Sequence, residues 1–228
     1  MPTGENNLFL MHCIDGCTFP YPSGSCSVSR SVHELKALGY TGGVICNTPI
    51  PELETPDFQI IPARHIRRGS VRELQKDIQE TTKRRMYCMV QAGENKMNRT
   101  FLTMPGVHAL SELHTAPKNA FDRFCAQIAA ERNVAVDIRV RPLWELRGIS
   151  RQRVIRLYEE ILLLQNRYEF HLTISSGALT PLDMRGPRAI ETILTEIGMD
   201  RDLIRKSFDS IPNLMKGYKS AREISDET

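Results

Sequence analysis

Arg132-Asn133-Val134-Ala135-Val136-Asp137-Ile138-Arg139-Val140-Arg141-Pro142-Leu143 is the stretch whose pattern decides the fold. Val134, Val136, Ile138 and Val140 alternate with Ala135, Asp137, Arg139 and Arg141, the period of two that belongs to a strand. Before it, Phe121, Phe124, Cys125, Ile128 and Ala129 recur at helical spacing. After it, Ser150 can cap a segment in which Val154, Leu157, Tyr158, Ile161, Leu162 and Leu164 form a broad apolar face. Helix, strand and helix in that order imply a parallel sheet, because parallel strands need crossover connections. The valine-rich half of the strand then packs on the helices. The other half, with an acid and two arginines, suits the lumen or mouth of a barrel.

The same alternation of strand and helix runs through most of the chain. Residues 8–14, ending in His12-Cys13-Ile14-Asp15, are the expected first strand. A loop rich in Gly, Pro and Ser follows, and Ser31 with Glu34, at capping-box spacing, starts a helix closed by Gly39. A second strand at 42–46 leads to Pro49, Pro51 and Pro56, which forbid a full helix. A third strand covers 58–61, Arg64-His65-Ile66-Arg67-Arg68 is a basic loop, and Ser70 caps a helix running to about Arg85. Strands four and five fall at 87–92 and 107–111, with a weaker helix at 94–102 between them. The organising strand is the sixth. A seventh at 169–175 alternates Phe170, Leu172 and Ile174 with His171, Thr173 and Ser175. Two helical stretches end the chain, one through Ile190, Ile193, Leu194 and Ile197 and one through Leu203, Ile204, Phe208 and Ile211. No eighth strand is evident, and residues 220–228 are a polar tail expected to fray.

The expected fold is therefore α/β: a trimmed TIM-like (β/α) barrel of about seven strands, in a single domain over residues 1–219. An open doubly wound sheet finds no Gly-x-Gly-x-x-Gly turn to support it.

With 228 residues, 41% of them hydrophobic, the chain can bury one sizeable core. Its 30 basic and 27 acidic residues leave a net charge of +3, too mild to signal nucleic acid, so any such surface must come from clustering. The six cysteines contain no Cys-x-x-Cys pair. They read as plain thiols of a cytoplasmic protein rather than as a zinc site at Cys13, Cys17 and Cys26. No apolar run approaches the roughly 20 residues that a membrane span needs, and no leader is evident.

If the polar faces of strands six and seven point inward, Asp137, Arg139, Arg141, His171, Thr173 and Ser175 share one cavity. Carboxylates are scarce there. A small metal-dependent phosphoesterase would have to draw on His12, Asp15, His65, Asp137 and His171 from scattered strands. The plainer reading is internal neutralisation of Asp137 by an arginine, with hydrogen bonds from His171 and Thr173. No catalytic residue and no metal ligand is assigned.

Arginines carry a stronger signal. Arg147, Arg151, Arg153 and Arg156 crowd one helix start, and Arg64, Arg67, Arg68 and Arg72 crowd another. The helix dipole disfavours cations at such positions by some tenths of a kcal/mol each. Phosphate-backbone binding compensates that cost, and a merely solvated helix face is the alternative. Trp144 and Tyr158 read as packing residues.

Three motifs in order resemble the ribonuclease P protein component 3 family: Arg132-Asn133-Val134-Ala135-Val136 with Arg141-Pro142-Leu143, Leu172-Thr173-Ile174-Ser175-Ser176-Gly177-Ala178, and Met184-Arg185-Gly186-Pro187-Arg188 before the paired helices around Gly198 and Pro212. The resemblance implies a protein subunit of the ribonucleoprotein that removes the 5′ leader from precursor tRNA. It also implies chemistry by Mg²⁺ held in the ribonuclease P RNA, no cofactor on the chain, and a partnership with ribonuclease P protein component 2 and other companion subunits. The family's implicated basic positions match Arg132 and Arg185, with Arg123 in a neighbouring turn. The implied fold is similar to the polymerase and histidinol phosphatase superfamily, whose metal-binding His-x-His strand end corresponds here to His12-Cys13-Ile14-Asp15. The acid usual after Pro-Arg is Ala189 in this chain.

Overall fold

Seven parallel strands lie side by side in chain order: β1 (Ile14–Thr18), β2 (Gly42–Cys46), β3 (Gln59–Ile66), β4 (Tyr87–Gln91), β5 (Ala109–Ser111), β6 (Ala135–Arg139) and β7 (Leu172–Ser175). The structure is a computed structural model that describes residues 12–53, 55–67, 69 and 71–216. The sheet curls until its edges meet. Thr18 bridges Ala178, Phe19 N–H donates to the Ala178 carbonyl at 2.8 Å, and Gly177 N–H donates to the Cys17 carbonyl at 2.9 Å. Gly16 makes this approach possible, since a Cβ there would stand 2.7 Å from the Ile174 carbonyl oxygen. The result is a nearly closed barrel, with no eighth strand among the described residues.

Helices α1 (Val28–Ala37), α2 (Val71–Lys83), α3 (Asn95–Thr103), α4 (Arg123–Arg132), the short α5 (Pro142–Glu145), α6 (Gly148–Tyr168), α7 (Pro187–Glu196), α8 (Arg201–Phe208) and α9 (Ser210–Lys216) complete the chain. Among the described residues no helix joins β2 to β3, as the prolines require. None of the described helices is long and apolar enough to cross a membrane. The apolar side of β6 packs outward, Val136 and Ile138 joining Tyr158, Ile161 and Leu162 of α6 and Cys125, Ala126 and Ala129 of α4. A second apolar cluster fills the lumen, with Val44, Ile61, Ala63, Tyr87, Met89, Ala109 and Ala135. Ile211 and Leu214 of α9 join it, and Ser210 Oγ donates to the carbonyl of Leu172, the first residue of β7, at 2.9 Å. α9 therefore plugs the end where the strands begin.

Several expectations change. β1 begins at Ile14 instead of ending there, and residues 8–11 of the expected strand lie outside the described residues. All five of its residues are buried, so it carries no apolar-polar alternation to read. β3 continues through Arg64-His65-Ile66, which is strand and not loop. Arg64 is exposed although it stands on a strand. Ser27, not Ser31, caps α1, accepting from the Arg30 amide at 3.2 Å. α6 starts at Gly148, which puts Ser150 inside its first turn. The last helical stretch breaks at Asp209 into α8 and α9. Ser70 and the tail at 220–228 lie outside the described residues.

Candidate nucleic-acid interface

The lumen holds a self-contained polar cluster near the C-terminal ends of the strands. Asp137 and Arg139 point inward from β6 as the alternation predicts, 1% and 4% exposed. The Asp137 carboxylate accepts from Thr173 Oγ1 at 3.2 Å and Ser175 Oγ at 2.8 Å. The Arg139 guanidinium pairs with Glu112, which follows β5 in a left-handed conformation (φ 57°), and stands 3.6 Å from Asp137. Its centre lies 5.5 Å from the Phe19 ring centroid, and Gly177 presses against the stem of the same side chain. Burial raises the Asp137 pKa, against the lowering influence of Arg139, Ser175 and Thr173. One buried cation thus answers two carboxylates, the neutralisation expected from the sequence with Glu112 as an added member.

The proposed metal ligands do not converge. His171 is exposed at the start of β7, which corrects its placement in the lumen, and His12 is exposed just before β1, also at the N-terminal end of the barrel. Asp15 and His65 are buried inside. Because β1 starts at Ile14, its C-terminal end presents Cys17-Thr18-Phe19, and His12-Cys13 lies at the opposite end. His65 Nε2 is 2.9 Å from Ser111 Oγ. Burial, helped by Arg139 and Arg67, pushes the His65 pKa down to about 3, so the ring is neutral at neutral pH. Among the described residues no group of three His, Cys, Asp or Glu side chains could hold a metal ion. His12 and His171, at the N-terminal end, are therefore not part of one ligand set with Asp15, His65 and Asp137.

The β7 loop is no phosphate cradle either. Ser176 N–H donates to Asp15, Gly177 N–H to the Cys17 carbonyl, and Ala178 N–H to Ser176 Oγ. Those donors fasten the seam.

The arginines divide between the two ends of the barrel. Arg67 follows β3, Arg123 opens α4 after β5, Arg141, Arg147 and Arg151 follow β6, and Arg185 follows β7, so all six belong to the C-terminal face. Arg132 ends α4 and precedes β6, which puts it on the opposite face. Arg68 lies outside the described residues. Arg141 sits ahead of α5 and not on β6, where its guanidinium reaches Glu145 at 2.9 Å and the Gly177 carbonyl at 3.2 Å. Arg185 is half-buried and donates to the Leu182 and Met184 carbonyls, both at 2.7 Å, while covering the Trp144 ring. Arg67, Arg147 and Arg151 are exposed, and among the described residues they form no ion pair.

Helix starts add to this face. α1, α3, α4, α6 and α7 begin there and carry no acidic residue in the first turn. Acids occur only at two of their caps, Glu94 before α3 and Asp122 before α4. Asp122 is spent on the amides of Phe124 and Cys125 and on Arg99, 2.6 Å away. Helix N-termini and arginine side chains both attract anions.

A family model described as RNase P subunit p30 matches residues 11–221. The chain belongs to the RNase P subunit p30 family. It is a protein subunit of ribonuclease P, and the holoenzyme is an endoribonuclease. Among relatives of this p30-family chain, the ribonuclease P protein component 3 of Methanosarcina barkeri is 25% identical over 205 residues, covering 87% of this chain and 86% of the relative. That of Methanothermobacter thermautotrophicus is 28% identical over 200 residues, covering 80% of each. A chain in the cryo-EM structure of archaeal ribonuclease P with mature tRNA shares the fold, with a TM-score of 0.74 at 16% identity over 90% of both chains. The crystal structure of an uncharacterized protein is a more distant match, with a TM-score of 0.58 at 10% identity over 89% of this chain and 74% of that one.

Within the p30-family chain, the Arg132-Asn133 motif has a local structural reason. Asn133 ends α4 in the left-handed region (φ 55°), a conformation asparagine tolerates well. Phe19, Ser111 and Glu112 are site members that sequence reasoning missed. An acid directly after the short fifth strand was the available signal for Glu112.

Proposed function

We propose that this p30-family subunit supports ribonuclease P RNA in the endonucleolytic removal of 5′ leaders from precursor tRNA, holding RNA backbone on the C-terminal face of its barrel. The observation that supports this reading is that Arg147 and Arg151, exposed and without ion-pair partners among the described residues, stand at the start of α6, whose first turn holds no acid, with the exposed Arg67 on the same face of the barrel. Arg141 and Arg185 contribute mainly by fixing the loops of that face. Arg132 serves a separate contact at the other end. Mg²⁺ held by the RNA performs the chemistry in this reading, and ribonuclease P protein component 2 is the companion subunit.

The test is cleavage of a 5′-extended precursor tRNA by ribonuclease P RNA with its companion proteins, with and without this chain, and by the chain alone. The expected result is an inert chain and a marked loss of cleavage at modest Mg²⁺ when it is omitted. Unchanged cleavage on omission, or hydrolysis by the chain alone, would overturn the proposal.

A further inference from the structure

Cys17 and Cys46 stand at the lumen ends of the adjacent strands β1 and β2 with their sulfurs 2.9 Å apart. Both side chains are fully buried. That separation is tighter than unbonded sulfur atoms normally keep and about 0.9 Å longer than the ~2.05 Å of a disulfide bond. All six cysteines lie among the described residues, and no other two sulfurs approach each other in this way there. Cys26 contacts Ser31, and Cys125 faces Asn95 and the Ala120 carbonyl. The Cys17 main chain is also engaged, its carbonyl accepting from Gly177 N–H at 2.9 Å and Ser176 Oγ at 3.3 Å. Cys17 therefore touches β2 through its side chain and the β7 loop through its backbone.

We propose that Cys17 and Cys46 are a built-in cross-linking pair, converted to a disulfide inside the folded barrel by a small hydroperoxide. One sulfur attacks the peroxide oxygen and becomes a sulfenic acid, releasing water from hydrogen peroxide or the corresponding alcohol from an alkyl hydroperoxide. The second sulfur displaces the hydroxyl as water, and the S–S bond forms. Two thiols lose two electrons and two protons, and the peroxide is reduced. Only a small oxidant fits, because both sulfurs are enclosed by the lumen wall. Burial holds the Cys17 thiol protonated, raising its pKa well above the ordinary value, which makes the reaction slow. The link closes the chain between residues 17 and 46, so the oxidised unfolded chain has fewer conformations and the oxidised barrel resists unfolding more strongly. This inference is independent of the RNA reading.

The experiment treats the folded full-length chain with hydrogen peroxide, then denatures it in an alkylating reagent and maps the peptides by mass. The expected result is a peptide pair joined through Cys17 and Cys46, lighter by about 2 Da than the two reduced peptides, with Cys13, Cys26, Cys88 and Cys125 alkylated. Oxidised chain should also melt several degrees higher than reduced chain, and reductant should reverse the shift. C46S, with C17S as its counterpart, should abolish both the linked peptide and the shift. Complete alkylation of Cys17 and Cys46 after peroxide, or a linked peptide equally abundant when the chain is oxidised unfolded, overturns the proposal.

Discussion

The carboxylate of Asp15 accepts the amide hydrogen of Ser176 at 2.7 Å, joining the first strand of the barrel to the loop after the last. Oδ1 takes that bond and a weaker one from the Cys17 amide at 3.3 Å, while Oδ2 is buried without a partner among the described residues. Burial, with Asp137 nearby, pushes the Asp15 pKa up from an ordinary 3.8 to about 6, although the Ser176 and Cys17 bonds oppose the rise.

The folded chain therefore binds the Asp15 proton more tightly than the unfolded chain does. Its contribution is fully present below about pH 4 and is lost as pH rises through about 6, on the order of 3 kcal/mol in all. Asp15→Asn keeps the acceptor on Oδ1 and removes the charge. Urea unfolding should find the variant more stable than the parent at pH 7.5, with the margin shrinking towards pH 4.5. A margin that grows on acidification would contradict the assignment.

Arg139 and Glu112 should behave as one unit. Glu112→Gln leaves the guanidinium with Asp137 alone, and Arg139→Met leaves the buried Asp137 and the partly buried Glu112 without their cation. Each change is expected to cost roughly 3 kcal/mol. The double variant should cost clearly less than both singles together, a non-additivity that denaturant unfolding of all four proteins measures.

Gly177 has a positive φ of 62°, and a Cβ there would stand 2.5 Å from Arg139 Cδ. Gly177→Ala thus combines backbone strain with a clash against a side chain pinned by Glu112 and Phe19. A loss of roughly 2 kcal/mol or more is expected. By contrast Gly148→Ala, also at positive φ but with open space around it, should cost less in the same melting experiment.

Replacing Arg67, Arg147 and Arg151 together by alanine should leave the melting temperature nearly unchanged, since all three are exposed. Binding to ribonuclease P RNA should weaken and become less steeply dependent on salt, as each lost phosphate contact lowers the slope by about one. Arg185→Ala should lower both binding and stability, because its guanidinium ties down the Leu182 and Met184 carbonyls. Filter binding over a salt series, with melting curves in parallel, separates the two cases.

Much of this protein was legible in its residues alone. The period of two in β6 placed Asp137 and Arg139 inside, the prolines after β2 removed a helix, and the ordered motifs carried the family. These are local signals, set by the pleat of a strand and the missing amide hydrogen of proline. Tertiary structure alone decided where each local pattern ended up. Alternation assigned His171 to the lumen side, but the barrel wall begins at Leu172, so that side chain meets solvent. The first strand was read too early in the chain because a strand buried on every side shows no contrast between its faces to mark its bounds. Arg132 and Arg185 share a motif set yet lie at opposite ends, because α4 runs against the strands. Glu112 meets Arg139 and Cys17 meets Cys46 only when neighbouring strands pair, and Asp15 meets Ser176 only once the seven strands have closed, since those contacts span 27, 29 and 161 residues and no local pattern records them.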